Sequence, residues 1–171
     1  MFWTRADGAG KPQQLTRSKN LQVPNSFSPE GTRLAFSEQA SGGGAEFQTV
    51  LVEREAGQLR AKEAQLFLKT STVNAFAAFS PDGRWLAYAD AEAGSYEVFV
   101  RAFPDKGTRV QISNAGGLDP RWSGNGHELF YRTLDQRIMV ANYAVKGGTF
   151  VADKPRVWFG KPLANTGTAP T

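Results

Sequence analysis

The sequence predicts an all-β protein of the β-propeller class, built from four-stranded antiparallel blades, and three observations support this. The 171 residues include 18 Gly and 12 Phe, a composition that favours short strands joined by tight turns. One motif, an aromatic residue followed by Ser-Pro-Asp-Gly or a variant of it, occurs three times. The three copies start 52 and then 43 residues apart, close to the period of about 40–50 residues that is typical of propeller blades.

Each copy of the motif combines the end of one strand, a tight turn and the start of the next strand. The copies are residues 27–36, 79–88 and 122–131. In the second copy, Pro81 presets the backbone at the first corner of the turn, and Gly83 is expected in the left-handed conformation. The strand that follows, residues 85–89, is apolar on both of its alternating faces. This pattern favours a strand that packs between two neighbouring blades.

Two further strands complete each repeat, which predicts three blades. These blades span about residues 22–69, 74–113 and 118–159. Residues 2–16 resemble the outer half of a preceding blade, with one strand entering a turn and one leaving it. We therefore predict a partial propeller of about three and a half blades over residues 1–160, and a flexible tail over residues 161–171. Because closed propellers have about four to eight blades, the chain is expected to be part of a larger gene or to complete its ring by association.

One segment of the first repeat fits two structures. Residues 58–67 include apolar and charged positions that recur with the 3.6-residue period of a short helix. The repeat frame instead places a turn there, followed by a strand over residues 64–69. The spacing of the repeat therefore favours the strand over the helix.

Charge and composition disfavour several classes of protein. The net charge of +4 is divided evenly between residues 1–70 and residues 71–171, so no basic patch for nucleic acid is expected. The absence of Cys excludes disulfides, thiolate metal sites and a Cys nucleophile. The longest apolar run has five residues, whereas a membrane helix needs about 20. With no signal-peptide pattern at the N-terminus either, the chain as written is expected to be cytoplasmic and to have no membrane partner.

The repeated turn and strand resemble the repeats of TolB-like, WD-like propellers, whose hallmark is Phe-Ser-Pro-Asp-Gly followed by a Leu-Ala-Tyr strand. The order of the further motifs is most similar to the extracytoplasmic propeller at the C-terminus of some bacterial serine/threonine kinases and related sensors. Those motifs are residues 83–88, 96–98, 120–123, 128–131 and 154–157. The resemblance implies a periplasmic or extracytoplasmic parent protein. Kinase activity is not implied, since the kinase motifs are missing, and the third turn departs from the pattern by carrying Gly124-Asn125 in place of Pro-Asp.

The sequence offers little for nucleophilic catalysis, because it has no Gly-x-Ser-x-Gly motif and a single histidine, His127, directly after a turn. The remaining enzymatic route is a calcium ion held by oxygen ligands. The innermost strands of a propeller line its channel, and here they carry the polar residues Asn25, Asn74 and Asp119. We predict these three as candidate metal ligands, with Asp119 as the carboxylate. Their alternative role is to cap turns or to face solvent.

Two functions remain open. The first is a module that binds a protein, peptide or small-molecule ligand and has no chemistry of its own. The second is a calcium-dependent hydrolase, of the lactonase type seen in six-bladed propellers, with calcium as its cofactor. An open stack of blades also exposes an apolar face at each end, which predicts self-association as a homodimer that closes a six-bladed ring. The third blade and residues 2–16 are the expected contact surfaces.

Overall fold

Sixteen β-strands and no helix make up the described part of this computed structural model, which comprises residues 1–70, 76–91 and 94–163. The first eight strands are β1 (Phe2–Trp3), β2 (Gln13–Gln14), β3 (Gln22–Phe27), β4 (Arg33–Gln39), β5 (Ala45–Glu55), β6 (Gln58–Ala61), β7 (Gln65–Thr70) and β8 (Ala77–Phe79). The remaining eight are β9 (Trp85–Asp90), β10 (Glu97–Ala102), β11 (Val110–Gln111), β12 (Leu118–Trp122), β13 (Glu128–Arg132), β14 (Ile138–Lys146), β15 (Thr149–Ala152) and β16 (Arg156–Phe159). In these residues no helix is long and apolar enough to cross a bilayer.

The strands form four antiparallel sheets that follow one another along the chain. Strands β1 and β2 pair as a two-stranded sheet, here called the half-blade. Blade A has the strand order β3-β4-β5-β7, blade B has β8-β9-β10-β11, and blade C has β12-β13-β14-β16. In blades A and C the third strand is long and carries an additional hairpin strand, β6 or β15. This arrangement confirms the prediction of an incomplete propeller with four-stranded blades.

The turn between the first two strands of each blade has the same backbone in all three copies. Gly31, Gly83 and Gly126 have φ values of 71°, 70° and 72°, which confirms the left-handed position that the motif predicts. The side chain of the first serine in the turn stabilises the turn by hydrogen bonds. In blade B the Ser80 hydroxyl accepts a hydrogen bond from the Trp85 amide at 3.0 Å and donates one to the Asp82 carboxylate at 2.5 Å.

The sequence does not predict the two hairpin extensions. The four-stranded pattern of the repeat predicts one strand over residues 149–159, but Pro155 lacks an amide hydrogen and separates β15 from β16. The hairpin begins at Gly147 and Gly148, whose φ values of 55° and 79° suit a two-residue turn. In blade A the segment over residues 58–67 forms β6 and the start of β7, so the strand is correct and the helix is not.

Apolar side chains form three layers, one at each junction between successive sheets. The layer between blades A and B and the layer between blades B and C meet at strand β9, which is buried on both faces. Leu86 and Tyr88 point towards blade A, while Trp85 and Ala87 point towards blade C. A smaller layer joins the half-blade to blade A through Met1. The prediction that this strand is packed between two blades is therefore confirmed.

Hydrogen bonds between the innermost strands tie neighbouring blades together. The Phe79 amide of blade B donates to the Ser26 hydroxyl of blade A at 3.2 Å. The Trp122 indole of blade C donates to the Ala78 carbonyl of blade B at 2.9 Å. Blades A and B, and blades B and C, are therefore joined by a hydrogen bond at their innermost strands as well as by apolar packing.

Candidate functional site

Of the three predicted calcium ligands, the structure describes two, and these two are not adjacent. Asn74 lies outside the described residues. Asn25 is on β3 and Asp119 is on β12, so the inner strand of blade B separates them. The side-chain amide of Asn25 donates to the Val23 carbonyl at 3.1 Å. Within the described ranges no three His, Asp or Glu side chains are grouped to hold a metal ion, and the calcium site stays a prediction.

Asp119 occupies a bulge in β12 and is bound to an arginine. Its φ of 51° and the register shift between Leu118 and Arg121 turn the carboxylate towards β13. There it accepts hydrogen bonds from Nε of Arg132 at 2.8 Å and forms an ion pair with Nη2 at 2.6 Å. The third guanidinium nitrogen of Arg132 donates to Gln136 at 2.6 Å. The carboxylate thus positions a guanidinium group at the inner edge of blade C.

The face of blade C that points away from blade B exposes apolar side chains and carries a cavity of about 410 Å³. We call it the open face and define it by Arg121, Phe130, Arg132, Ile138 and Trp158. The Trp158 ring stands edge-on to the Phe130 ring, with 5.3 Å between the ring centroids. Trp158 is nevertheless 59% exposed.

A second cavity, of about 500 Å³, lies between the turns of blades B and C. We call it the turn groove and define it by Pro81, Asp82, Arg84, Asn125, His127 and Tyr143. At the corresponding junction between blades A and B the two turns approach each other closely. There a Cβ on Gly83 would lie 3.4 Å from Cδ of Pro29, so the two turns are in van der Waals contact.

The turn groove combines a charged pair with a neutral hydroxyl. Burial raises the pKa of Asp82, but the hydrogen bonds from Ser80 and Arg84 outweigh it and hold the pKa below its ordinary value. The Arg84 Nε atom lies 2.8 Å from the Asp82 carboxylate. Burial, helped by the charge of Asp82, raises the pKa of Tyr143, which therefore keeps its proton at neutral pH. The groove thus offers a carboxylate, a guanidinium and a hydroxyl donor side by side.

Sequence reasoning assigned most of these residues to structural roles. Asp82 was expected as a turn residue and His127 as an exposed residue after a turn, and both expectations describe their backbone positions correctly. The repeat predicts that the four tryptophans, Trp3, Trp85, Trp122 and Trp158, pack between blades. This holds for Trp85 and Trp122, whereas Trp3 is partly exposed and belongs to none of the three apolar layers, and Trp158 is exposed.

The fold and these surfaces define a β-propeller segment with an open end and a groove on its turn side. No family model and no curated protein matches the chain. Among solved structures, it is similar to a TolB structure from Agrobacterium tumefaciens, at 16% identity and a TM-score of 0.54 over 86% of this chain and 54% of the other. It is also similar to a chain of a nidogen/laminin complex, at 12% identity and a TM-score of 0.55 over 88% of this chain and 55% of the other.

These similarities show the fold. They confirm the predicted likeness to TolB-like propellers at the level of the fold. The chain spans about half the length of either solved structure. The closer resemblance to the propellers of kinase-linked sensors, and with it the extracytoplasmic parent, stays a prediction.

Proposed function

We propose that this chain is a propeller-type binding module without chemistry of its own, and that it binds a peptide segment in the turn groove. The observation that supports the proposal is the groove itself, which lies between the turns of blades B and C, where Gly126 lacks the close proline contact that Gly83 has with Pro29. Its volume of about 500 Å³ lies within the range of about 300–1,000 Å³ that is usual for ligand sites.

The lining of the groove favours an extended peptide over a charged small molecule. Asp82 and Arg84 neutralise each other, so neither an anion nor a cation gains a strong field in the groove. Pro81, Ala144 and Val145 supply apolar contact area beside these polar groups. A peptide can place an apolar side chain on this surface while its backbone amides meet the polar groups of the rim.

Peptide selection tests the proposal directly. Phage-displayed random peptides are selected on the immobilised chain and counter-selected on the double variant Arg84→Ala/His127→Ala, which removes two exposed groove side chains. Selected peptides should bind the wild-type chain at least about tenfold more tightly than the double variant, as expected when charged hydrogen bonds are lost. Glu30→Ala, in the turn of blade A, is the matched control and should bind like the wild type. Peptides that bind all three chains equally would contradict the proposal.

The alternative of a calcium-dependent hydrolase rests on the sequence prediction for Asn25, Asn74 and Asp119. A calcium ion at Asp119 has to compete with the Arg132 guanidinium for the same carboxylate oxygens. Calorimetric titration of the wild type and of Asp119→Ala with calcium chloride separates the possibilities. Calcium binding that disappears in the variant, together with chelator-sensitive lactone hydrolysis, would support the enzyme. Heat traces without binding for both chains would remove Asp119 from any such site.

A further inference from the structure

The third strand of blade C runs past the end of its neighbour β13, and part of its backbone is unpaired as a result. We infer that an extended peptide segment adds to this backbone as an antiparallel β-strand, in the place where β13 would continue. The inference rests on the proposed function, because the peptide lies in the turn groove, and it specifies how the peptide is held there.

The direction of the backbone groups on β14 follows from two hydrogen bonds. The Tyr143 amide donates to the His127 carbonyl at 2.9 Å, so the backbone groups of Tyr143 point to the β13 side. The Asn142 carbonyl accepts a hydrogen bond from the Asp153 amide at 2.8 Å on the opposite side, where β15 lies. Because successive residues of a strand alternate between the two sides, the amide and carbonyl of Val145 point to the β13 side.

Among the described residues, no strand pairs with these backbone groups of Val145. The pairing of β13 with β14 stops at Asn142. The Asn125 side chain ends it, because its Oδ1 atom accepts, at 3.0 Å, the His127 amide that a longer ladder would direct to the Tyr143 carbonyl. We call the Tyr143 carbonyl, together with the amide and carbonyl of Val145, the free edge.

The free edge borders the turn groove. Ala144 and Val145 line the groove on one side, and the turn over residues 124–127 lines it on another. Unpaired amides and carbonyls along a strand are a template for the addition of a further strand. An extended peptide provides the matching carbonyls and amides at every second residue, which is the basis of peptide recognition by strand addition. An extended peptide is therefore the occupant that fits this edge.

Blade A contains an edge of the same geometry. Its third strand, β5, also runs past β4, and the last hydrogen bond between the two joins the Val52 amide to the Thr32 carbonyl at 2.8 Å. Arg54 lies two residues further along β5, so its amide and carbonyl also point to the side that β4 no longer covers. Arg54 is thus the equivalent of Val145.

The two edges differ in their side chains. In blade A, residues 53–55 are Glu, Arg and Glu, and the two glutamates form ion pairs with Lys62 and Arg60. Charged side chains are a usual means of protecting a strand edge from pairing. In blade C, residues 143–145 are Tyr, Ala and Val. Aromatic and β-branched residues favour cross-strand contacts, so the edge of blade C is suited to a partner strand and that of blade A is not.

The side chains beside the free edge determine which peptides fit. Tyr143 and Val145 lie on the face of β14 that packs towards blade B, whereas Ala144 is exposed on the other face. Residues directly opposite each other in an antiparallel pair place their side chains on the same face. We therefore expect peptides in which apolar β-branched residues alternate with polar ones. The apolar residues share a face with Val145, and their amides point to the free edge.

A capped hexapeptide of alternating Thr and Val is the probe, and methylation of its backbone amides is the test. Calorimetric titration should show that it binds the wild-type chain with a Kd below about 1 mM. Methyl groups on the Val amides, which face the free edge, should weaken binding at least about tenfold. The matched control has methyl groups on the Thr amides, which face away from β14, and its Kd should change less than about threefold.

Two proline variants test the same contact from the side of the protein. Val145→Pro removes the amide of the free edge and should abolish detectable binding of the probe, since Pro is tolerated in a strand where the amide is not in the ladder. Arg54→Pro makes the same change at the equivalent edge of blade A and should bind like the wild type. Circular dichroism establishes that both variants keep their strand content. If Val145→Pro does not fold, the two methylated peptides decide the question alone.

The results distinguish the added strand from the proposed function. Suppose that Arg84→Ala/His127→Ala weakens binding of the probe, but the two methylated peptides bind alike. The added strand would then be wrong, and the turn groove would remain the binding site. A probe that does not bind the wild type, or that Arg54→Pro and Val145→Pro weaken equally, would also overturn the added strand. Binding that depends on the Val amides and on Val145 but not on the double variant would support the added strand and contradict the role proposed for the groove side chains.

Discussion

Blades B and C have the same strand order and the same turn, but blade B is packed on both faces and blade C on one. In blade B, every residue of the second strand, Trp85–Asp90, is buried. In blade C, the second strand alternates, with Leu129 and Tyr131 buried against blade B and Phe130 partly exposed. Both strands carry an apolar residue at the position that points to the following blade, Ala87 in blade B and Phe130 in blade C, and only Ala87 is buried there by a neighbouring blade. The repeat motif therefore predicts the shape of a blade, but not which of its faces is covered.

The largest expected difference between the two blades concerns their tryptophans. Trp85 is buried between blades B and C, where its ring lies 5.1 Å from that of Phe150. Trp85→Ala should lower the free energy of unfolding by about 3–5 kcal/mol, since it leaves a cavity. Trp158→Ala should cost less than about 1 kcal/mol, because this ring is mostly exposed. Urea unfolding measures both values. Equal losses would mean that the open face is covered within the chain.

The turns of the two blades provide the second prediction. Gly83 has a φ of 70°, which a β-branched residue adopts with strain, so Gly83→Val should cost about 1–3 kcal/mol. In the turn of blade C, Gly124 has no positive φ and nothing within 4 Å of a Cβ. Gly124→Val should therefore change the free energy of unfolding by less than about 0.5 kcal/mol. A melting temperature that does not differ between the two variants would show that the turn of blade B is not strained in this way.

The ion pair at the inner edge of blade C provides the third prediction. Asp119 and Arg132 are each about one quarter exposed, with side-chain exposures of 27% and 26%. Asp119→Ala should cost about 0.5–1 kcal/mol at low salt, and less at 1 M salt, because solvent ions screen the pair. Urea unfolding at two salt concentrations checks this. Asp119→Asn, which keeps the size of the side chain, separates the charge from the packing, and an equal loss at both salt concentrations would argue against an ion pair.

The smallest expected difference is in the response of the two turns to pH. Asp82 of blade B has a folded pKa below its ordinary value, because its hydrogen bonds from Ser80 and Arg84 outweigh the effect of burial. Its contribution to stability is therefore complete above about pH 4 and is lost as the pH falls through the folded pKa. Because the Asp82 side chain is 43% exposed and solvent screens its charge, we expect only a few tenths of a kcal/mol.

The equivalent residue of blade C, Asn125, does not titrate, and this makes the comparison testable. Asp82→Asn should reduce the loss of stability between pH 5 and pH 2, whereas Asn125→Asp should increase it. Thermal unfolding at these two pH values measures both changes. Identical pH profiles for the wild type and Asp82→Asn would show that the carboxylate does not stabilise the turn.

Much of the fold can be predicted from the sequence, because its signals are local. The left-handed glycine of each turn follows from the Ser-Pro-Asp-Gly pattern, and Gly31, Gly83 and Gly126 all adopt it. The alternation of apolar residues on β9 predicts a strand packed on both faces, which is confirmed. The hairpin at Gly147 and Gly148 was missed, although its two glycines are a local turn signal, because the repeat frame assigned that stretch to one strand.

The candidate sites depend on contacts that the sequence pattern does not contain. Asp119 and Arg132 are 13 residues apart and meet because a bulge in β12 turns the carboxylate towards β13. The turn groove brings Asp82 of blade B near Tyr143 of blade C. Neither pairing follows from a motif, since each depends on how two strands or two blades are placed against each other.

The sequence by itself determined the class of fold, most of the strands of each blade and the geometry of the three turns. These features depend on backbone preferences and on the alternation of side chains within a few residues, so they can be read along the chain. Only the tertiary structure decided that Trp158 is exposed while Phe67 is buried, and that a groove lies between the turns of blades B and C. The physical reason is that burial is a property of two surfaces in contact, and the second surface lies far along the chain or on another molecule.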